Sequence, residues 1–298
     1  MSELAAIDDP PCFAPVMPRG FAQYAAARRF TDSGIESPHA DARLLLCAAL
    51  GIGRADLLRD PACQIGAAAA IFESYVARRL GGEPVSRIIG ERDFWRSRFK
   101  ISPAVLDPRP STETLIEAVL DHAARCKRAS WRLLDLGTGS GAILCSLLQN
   151  LPGSYGIGVD ISHEACMIAG ENLVRLGLAG RGHLVCSDWT HGLRGPFDVI
   201  VSNPPYIARG EITRLPPEVR DHDPRLSLDG GEDGLQAYRE IIPAMADLLA
   251  PGGFIALEIG AGQRVEVESL LRGTFRAPVE TRLDLDGHWR IVAASLFR

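Results

Sequence analysis

The sequence predicts an α/β protein in which a small helical region precedes a doubly wound, mainly parallel sheet. From residue 131 onward, short apolar segments alternate with helical segments, as in sheets that helices cover on both faces. The first apolar segment runs directly into a glycine-rich loop and then a helix. Residues 20–82 contain helix signals only. We therefore divide the chain into a loose tail (1–19), a helical domain (20–82), a linker (83–112) and an α/β domain (113–298).

The helical domain has clear start and stop signals. Ser37 and Pro38 predict the start of a helix, with an N-cap and a first-turn proline, and Gly51 predicts its end. The segment "AAAAIFESYVARRLGG" (67–82) predicts a second helix that its last two glycines terminate. No residue of this region has an obvious chemical role, so we expect a small helical bundle.

The linker predicts a hairpin or an extended segment. "SRIIGERDFWRSRFKIS" (86–102) has two short apolar stretches around a charged, aromatic centre. The prolines of "DPRPSTETLIEAVL" (107–120) exclude regular structure before Ser111. We expect Ser111 to cap the following helix, with Glu113 in its first turn.

The α/β domain then follows element by element. We expect the last two strands, joined by a tight Asp-Gly type turn, to form an antiparallel hairpin at the sheet edge because they are close in sequence. The predicted strands are 131–137, 155–160, 182–188, 197–203, 254–260, 280–287 and 288–297, and the predicted helices are 141–150, 162–177, 235–253 and 263–273.

Composition limits the possible functions. Of the 298 residues, 46% are hydrophobic and 23% are charged, and the formal net charge is −5. This acidic balance argues against a protein that grips long nucleic acids by their phosphates. No apolar run approaches the roughly 18 residues of a membrane span. The N-terminus is acidic and proline-rich, without the basic start and apolar middle of a signal peptide.

Cysteine usage points to a reducing compartment. The seven cysteines are odd in number and none lies in a CxxC pair, so we expect reduced thiols and a cytoplasmic location. The seven histidines are equally scattered, and we expect no metal site. The cysteines are Cys12, Cys47, Cys63, Cys126, Cys145, Cys166 and Cys186.

The loop after the first strand predicts a nucleotide-type ligand. In "DLGTGSGA" (135–142), Gly137, Gly139 and Gly141 let the backbone turn sharply and approach a ligand closely. Together with Ala142, the first two also fit the pattern G-x-G-x-x-A. The context of a strand before and a helix after the loop supports this interpretation.

Carboxylates and a flat ring follow the next two strands. Asp160 ends the second strand and is placed to accept hydrogen bonds from ribose hydroxyls; the alternative is a helix N-cap. Asp188 and Trp189 end the third strand and could hold and stack an adenine; the alternative for Trp189 is plain core packing. We therefore expect a nucleoside cofactor over the carboxyl ends of these strands.

"VSNPPYIA" (201–208) follows the fourth strand. Asn203 should lie across the switch point of the sheet, facing the reactive end of the cofactor. Pro204 and Pro205 stiffen the turn, so the Asn203 side chain and the Pro204 carbonyl can be fixed acceptors for a planar NH2 group. Tyr206 can pack over the flat group that carries this NH2. The pattern predicts a pocket for a primary amide or a base amine; the alternative is a simple rigid turn.

These motifs resemble a known family. "DLGTGSG" and "VSNPPY" resemble motifs I and IV of S-adenosylmethionine-dependent amino-methyltransferases. With "GGEPVSRIIGERDFW", "PRPSTETL", "PEVRDHDPRLSLDGGEDGL" and "PGGFIALEIG", residues 20–298 are similar to the PrmC/HemK family, protein-(glutamine-N5) methyltransferases of class I peptide chain release factors. The resemblance implies a Rossmann-like seven-stranded S-adenosylmethionine-dependent methyltransferase domain, a small N-terminal helical-bundle domain that docks the release factor, and a hairpin linker.

The resemblance also implies an activity and site residues. The expected reaction transfers methyl from S-adenosylmethionine to the glutamine of a Gly-Gly-Gln motif, leaves S-adenosylhomocysteine and supports translation termination. Two departures from the family pattern lie near the cofactor: Asp107 stands where an apolar residue is usual, and Ser111 where Asp is usual. The implied cofactor-binding residues are Gly137, Thr138, Gly139, Ser140, Gly141, Asp160, Asp188, Trp189 and Asn203. The implied substrate-binding residues are Asn203, Pro204, Pro205 and Tyr206, of which Asn203, Pro204 and Tyr206 are also implied to be catalytic.

Two other functions remain open from the sequence. The same Asn-Pro-Pro pocket suits a flipped base, as in an adenine-N6 methyltransferase acting on DNA or RNA, but the acidic charge and the absence of a dedicated basic domain argue against it. A binding protein without turnover is the third possibility, and the intact Asn203 and glycine loop argue against it. We expect a monomer.

Overall fold

The computed structural model describes residues 13–126 and 128–296. It divides into two compact units: the first ends at Ile89 and the second begins at Gly90. In the described part of the chain, no helix is both long and apolar enough to cross a membrane.

The first unit is a small helical bundle. Its second helix begins at Pro38 and ends at Leu50, and the next residue, Gly51, has a left-handed φ of 64°. The predicted start and end are confirmed, but the Ser37 side chain makes no capping hydrogen bond. The apolar faces of the helices meet in one core that includes Phe30, Leu45 and Phe72. The helices are α1 (Arg19–Asp32), α2 (Pro38–Leu50), α3 (Arg54–Arg59), α4 (Ala69–Leu80) and α5 (Val85–Ile89).

The described part of the predicted tail is not loose. The Phe13 side chain is 3% exposed, and its ring centroid lies 4.6 Å from that of Phe72. The Phe13 N–H donates to Glu73 Oε2 at 3.1 Å. Burial of one aromatic ring outweighs the proline-rich composition of this segment. Residues 1–12, including Cys12, lie outside the described residues.

The linker divides between the two units. Residues 85–89 form α5 rather than an extended segment, whereas β1 (Glu91–Phe94) and β2 (Ser97–Lys100) form the predicted antiparallel hairpin in the second unit. Ser111 does not cap the next helix, because it lies within a 3-10 turn (Pro110–Thr112), and α6 (Glu113–Cys126) begins after it. The Glu113 carboxylate instead accepts from the Trp95 N–H at 2.8 Å.

The second unit contains the seven-stranded sheet. The strands are β3 (Arg132–Leu136), β4 (Tyr155–Asp160), β5 (Gly182–Cys186), β6 (Phe197–Ser202), β7 (Leu249–Glu258), β8 (Val279–Leu283) and β9 (Trp289–Ser295). Their order in the sheet is β5-β4-β3-β6-β7-β9-β8; the first five are parallel and the last two form the predicted antiparallel edge hairpin. The remaining helices are α7 (Ala142–Asn150), α8 (His163–Arg175), α9 (Pro217–Arg220), α10 (Gln236–Met245) and α11 (Arg264–Phe275).

Alternating residues of the strands build two cores. Leu133 and Val199 point into the core that α6, α7 and α8 cover, while Leu134 and Ile200 point into the core under α10 and α11. This two-sided burial explains why the strands read as continuous apolar runs. One helix is shorter than predicted: α10 ends at Met245, and β7 begins at Leu249, which pairs with Phe197.

The topology creates one switch point. The chain passes from β3 outward to β5 and then returns to the other side of β3 as β6. Leu136 pairs with Ser202 there, so the loops that follow β3 and β6 lie side by side. Open α/β sheets bind ligands at such points, at the carboxyl ends of the strands.

Candidate active site

Two neighbouring cavities lie at the carboxyl ends of the strands. The larger cavity has a volume of about 680 Å³ and the smaller cavity about 400 Å³. Both have Asn203 and Arg109 in their walls. Of the residues predicted from the sequence, the larger cavity is lined by Gly137, Thr138, Gly139, Ser140, Asp160, Asp188, Trp189, Asn203 and Pro205, and the smaller by Asn203 and Tyr206.

The glycine loop needs its glycines for two different reasons. Gly137, Gly139 and Gly141 have φ values of 72°, 54° and 77°, a region that L side chains rarely adopt. A Cβ built on Gly139 would meet no atom within 4 Å, so this part of the loop is open to a ligand. A Cβ on Gly141 would lie 3.1 Å from the Cβ of Ala169. Gly141 therefore serves helix packing and is absent from the cavity wall.

The buried carboxylate of Asp135 stabilises the glycine loop through Thr138. Thr138 Oγ1 donates to Asp135 Oδ2 at 2.7 Å, and the backbone N–H groups of Gly137 and Thr138 both donate to the Val159 carbonyl at 2.9 Å. Burial raises the pKa of Asp135 to about 7, and the hydrogen bond from Thr138 partly offsets this rise. The loop is thus held in shape before any ligand arrives.

Asp160 connects the loop to the second strand. Its Oδ2 accepts from the Gly139 N–H at 2.8 Å and its Oδ1 accepts from the Ser162 N–H at 2.9 Å. Ser162, not Asp160, is the N-cap of α8, since its hydroxyl accepts from the Ala165 N–H at 3.2 Å. Burial raises the pKa of Asp160 and the two backbone bonds partly lower it. A carboxylate has about four acceptor sites, so lone pairs remain for ligand hydroxyls.

Trp189 lies between the cavity and the core. Its ring borders the larger cavity and also packs against the core under α10. The indole Nε1 donates to Glu240 Oε2 at 3.1 Å, and a Cβ on Gly137 would lie 3.5 Å from the ring. Trp189 has a φ of 46°, which is uncommon for a bulky residue. Asp188, beside it, is exposed at the cavity wall.

Asn203 is oriented by a residue that sequence reasoning did not assign. Its Nδ2 donates to Thr112 Oγ1 at 3.3 Å, which leaves Oδ1 as an acceptor for another group. Thr112 belongs to the motif "PRPSTETL", 91 positions away in the chain. Pro204 is buried and borders neither cavity, so its predicted contact with the substrate stays a prediction, whereas Pro205 borders the larger cavity.

Tyr206 is held from several sides. Its carbonyl accepts from Gln263 Nε2 at 2.8 Å, and the same Nε2 donates to the Gly234 carbonyl at 3.0 Å. A Cβ on Gly260 would lie 2.9 Å from the Tyr206 ring. Burial raises the pKa of the Tyr206 phenol to about 12. The phenol is therefore neutral at any physiological pH.

The segment 207–234 forms a wall of both cavities. It contains α9 and two 3-10 turns, and Ile207 forms a parallel bridge with Asp229 that folds the segment back on itself. Arg209 and Leu226 border the larger cavity, and Val219 borders the smaller one. An Arg109–Asp223 ion pair joins this wall to the segment that follows β2.

The acid at position 107 lies beside a residue of opposite charge. Asp107 is buried and its carboxylate lies 3.5 Å from Arg92 Nε. Its backbone N–H donates to Asp223 Oδ1 at 3.4 Å. An acid in this otherwise apolar position is therefore accommodated by a basic residue of the hairpin.

Thr112, Arg109 and Glu258 were not assigned from the sequence. Arg109 borders both cavities, and Glu258 is fully buried at the end of β7. A sequence signal existed for Glu258, because an acid stands at the end of the apolar run "FIALEIG", beside the switch point. No cluster of possible metal ligands occurs among residues 13–126 and 128–296, and the six cysteines in this range are free thiols.

Comparisons with known proteins cover both units. A family model described as the PrmC N-terminal domain matches residues 22–90, and one described as the methyltransferase small domain matches residues 105–215. A solved structure of a 16S rRNA methyltransferase of T. Thermophilus, in complex with AdoMet and guanosine, matches with a TM-score of 0.51 and 21% identity. This match covers 70% of the present chain and 50% of that chain, and it shows the fold alone.

Curated relatives extend over most of the chain. A release factor glutamine methyltransferase of Bradyrhizobium diazoefficiens is 46% identical over 90% of this chain and 91% of its own length. One of Caulobacter vibrioides is 45% identical over 90% of this chain and 93% of its own length.

The fold, the glycine loop and the methyltransferase family model together define an S-adenosylmethionine-dependent methyltransferase. The residues present fit this cofactor: an open glycine loop, an acceptor carboxylate on Asp160 and an aromatic wall surround a cavity of about 680 Å³. Identity of 45–46% over nine-tenths of the chain is more specific. The chain belongs to the release factor glutamine methyltransferase family.

Proposed function

We propose that this enzyme methylates the side-chain amide nitrogen (N5) of the glutamine in the Gly-Gly-Gln motif of class I peptide chain release factors. The observation that carries the proposal is the orientation of Asn203 at the wall shared by the two cavities. Its NH2 group is bound to Thr112, so its oxygen is the free end. A free acceptor at this point suits a substrate that presents an NH2 group.

In this proposal each residue of the turn has one task. Asn203 Oδ1 and the Pro204 carbonyl accept the two N–H bonds of the glutamine amide. Pro205 stiffens the turn, and Tyr206 packs over the amide plane. The Tyr206 phenol stays neutral because burial raises its pKa to about 12, so it is not a proton acceptor.

The proposed chemistry depends on positioning. The cofactor supplies an activated methyl group on a sulfonium. An amide nitrogen is a poor nucleophile because its lone pair is delocalised into the carbonyl. Fixed acceptors on both N–H bonds increase electron density on nitrogen, stabilise the positive charge that develops there, and align the nitrogen with the methyl group. The proton then leaves late, to water.

The cofactor is assigned to the larger cavity. Residues 137–140 would surround its amino-acid end, Asp160 would accept from the ribose hydroxyls, and Asp188 with Trp189 would hold the adenine. Asn203 would border its reactive end.

Partner and location belong to the same proposal. The helical unit, which matches the PrmC N-terminal domain model, would dock the release factor. We infer a monomeric, cytoplasmic enzyme that takes a protein substrate and needs no nucleic acid.

A methylation assay tests this function. The expected result is methyl transfer to a purified class I release factor, lost when its Gly-Gly-Gln glutamine is replaced by alanine. Oligonucleotides with unpaired adenines serve as the competing substrate. Methylation of the oligonucleotide but not of the release factor would favour an adenine-N6 activity, and cofactor binding without either reaction would indicate a binding protein.

Asp160→Ala should weaken S-adenosylmethionine binding. The loss of charge-assisted hydrogen bonds is expected to cost roughly 1.5–3 kcal/mol, measured by calorimetry. Because Asp160 also accepts from Gly139, Asp160→Asn is the companion variant: it keeps an acceptor for the loop but loses the charge. Both variants should remain folded in thermal melts, and unchanged affinity in both would refute the assignment.

Hydrogen exchange in the segment 207–234 should slow when the release factor binds. The segment borders both cavities and is largely exposed between Glu211 and Asp221, so a docked partner would protect its backbone. Peptides from α11, which borders neither cavity, serve as the internal control. Equal exchange with and without partner would count against a role for this segment in substrate binding.

A further inference from the structure

A buried carboxylate lies behind the amide-binding turn. Glu258 ends β7, and because Ser202 pairs with Leu257, it lies beside Asn203. Its side chain is 0% exposed, and within the described part of the chain neither carboxylate oxygen makes a hydrogen bond of good geometry. A buried carboxylate without such bonds costs free energy, so its presence here needs a physical reason.

Two hydroxyl-bearing side chains face this carboxylate. Burial raises the pKa of Glu258 to about 7, and the side chains of Thr112 and Tyr206 partly lower it by interacting with the ionised form. Both side chains belong to the site: Thr112 borders the larger cavity and Tyr206 the smaller. Glu258 therefore lies at a junction between the two cavities without bordering either of them.

Thr112 connects Glu258 to the Asn203 amide. The Thr112 hydroxyl accepts from Asn203 Nδ2 at 3.3 Å, which leaves its single hydrogen free to be donated elsewhere. An ionised carboxylate can only accept. When Glu258 is ionised, the Thr112 hydrogen points to Glu258 and the Thr112 lone pairs point to Asn203. Asn203 can then present only its NH2 group to Thr112.

We propose that Glu258 is a positioning residue that, through Thr112, holds the Asn203 amide with its oxygen directed at the substrate amide. The proposal rests on the function proposed above, in which Asn203 Oδ1 accepts an N–H of the glutamine. Without an ionised group at position 258, the Thr112 hydroxyl can donate to Asn203 Oδ1, and the Asn203 amide can turn over. Two NH2 groups would then face each other, and the substrate nitrogen would lose its fixed acceptor.

Burial raises the pKa of two carboxyls of the site to about 7: Glu258, and Asp135, which accepts from Thr138 in the glycine loop. The charged groups around Glu258 itself do not titrate near neutral pH. Tyr206 and Tyr238 have pKa values that burial raises, so both are neutral. The Tyr238 hydroxyl donates to the backbone carbonyl of Glu258 at 2.8 Å. Arg290 forms an ion pair with Asp284, with 3.0 Å between Nε and Oδ2. Turnover should therefore rise with pH as Glu258 loses its proton around pH 7.

Three variants test the connection through Thr112. Glu258→Gln keeps the shape but allows an N–H to face Thr112, and Thr112→Val removes the hydroxyl. Each should lower kcat on the order of tenfold to a hundredfold, with the cofactor affinity little changed, because a small misplacement of the reacting group is enough. Thr112→Ser retains the hydroxyl and should restore most of the turnover. Glu258→Gln should also lose the rise of kcat around pH 7.

Asp198→Asn is the matched control. Asp198 is another buried carboxylate, near the start of β6 at the opposite end of that strand from Asn203. Its carboxylate lies 3.1 Å from the Arg128 guanidinium and 3.5 Å from that of Arg132, so the variant should lose stability with the loss of the charge. It should not change the pH dependence of kcat.

Several outcomes would overturn the proposal. They are a wild-type kcat and pH profile in Glu258→Gln, a full kcat in Thr112→Val, and a wild-type kcat that is flat around pH 7.

A substrate-free measurement separates this proposal from the function itself. The side-chain NH2 resonances of Asn203 should shift around pH 7 in the wild-type enzyme and not in Thr112→Val, and a shift absent from the wild type would refute the proposal even if release factor methylation is observed.

Discussion

Replacing Asn203 by alanine should reduce methyl transfer to a release factor on the order of a hundred- to thousandfold, while cofactor affinity stays nearly intact. The substrate amide would lose a fixed acceptor in a desolvated pocket, and its nitrogen would no longer point at the methyl group. Single-turnover methylation measures the first effect, and calorimetry with S-adenosylmethionine measures the second. Thermal melts establish that the variant is folded.

Asn203→Asp is the sharper variant at this position. It keeps an acceptor oxygen and the shape of the side chain, so it should retain more activity than alanine. It also places a second carboxylate next to Thr112, which already faces Glu258, and this should alter the pH dependence. If Asn203 only formed a turn, both variants would stay active and differ in stability alone. Near wild-type rates in folded Asn203→Ala would rule out its catalytic role.

Gly234→Ala should both destabilise the protein and impair turnover. Gly234 has a φ of 76°, and its Cβ would lie 2.4 Å from the Tyr206 carbonyl oxygen and 2.6 Å from Gln263 Nε2. These two atoms are hydrogen-bonded to each other, so neither can move away without breaking that bond. Backbone strain and overpacking together should lower the free energy of unfolding by about 2–5 kcal/mol, measured by urea denaturation.

The displaced Tyr206 should also lower kcat, on the order of a hundredfold for a shift of about 1 Å. Gly210→Ala is the matched control, because it lies in the same segment, has no left-handed φ and would meet no atom within 4 Å. Its unfolding free energy should change by less than about 0.5 kcal/mol. Equal stability and turnover in the two variants would show that the contact around Tyr206 does not matter.

The strands and the antiparallel edge hairpin were predictable because their signal is local. Continuous apolar runs such as 197–202 mark strands buried on both faces, and the short connection between β8 and β9 predicts an antiparallel pair. The predictions were wrong where a contact with a residue far away in the chain determines the local structure. Phe13 is ordered by Phe72, and the end of α10 is set by the pairing of Leu249 with Phe197.

The same distinction applies to the site. Asp160, Trp189 and Asn203 stand at strand ends after recognisable motifs, so their meeting at one sheet edge follows from topology. Their roles remain predictions, although all three border the larger cavity. Thr112 could not be assigned, because its contact with Asn203 joins residues 91 positions apart. The acid at the end of its strand marked Glu258, but the neighbours of its carboxylate, Thr112 and Tyr206, come from distant parts of the chain.

The shared wall of the two cavities has a kinetic consequence. Asn203 and Arg109 border both cavities. In the proposed assignment the cofactor occupies the larger cavity, and the smaller one is then left for the glutamine, so neither ligand would have to leave before the other arrives. We therefore expect a ternary complex without a methylated enzyme intermediate, and initial-rate plots that intersect, as in a sequential mechanism, rather than the parallel lines of a ping-pong exchange.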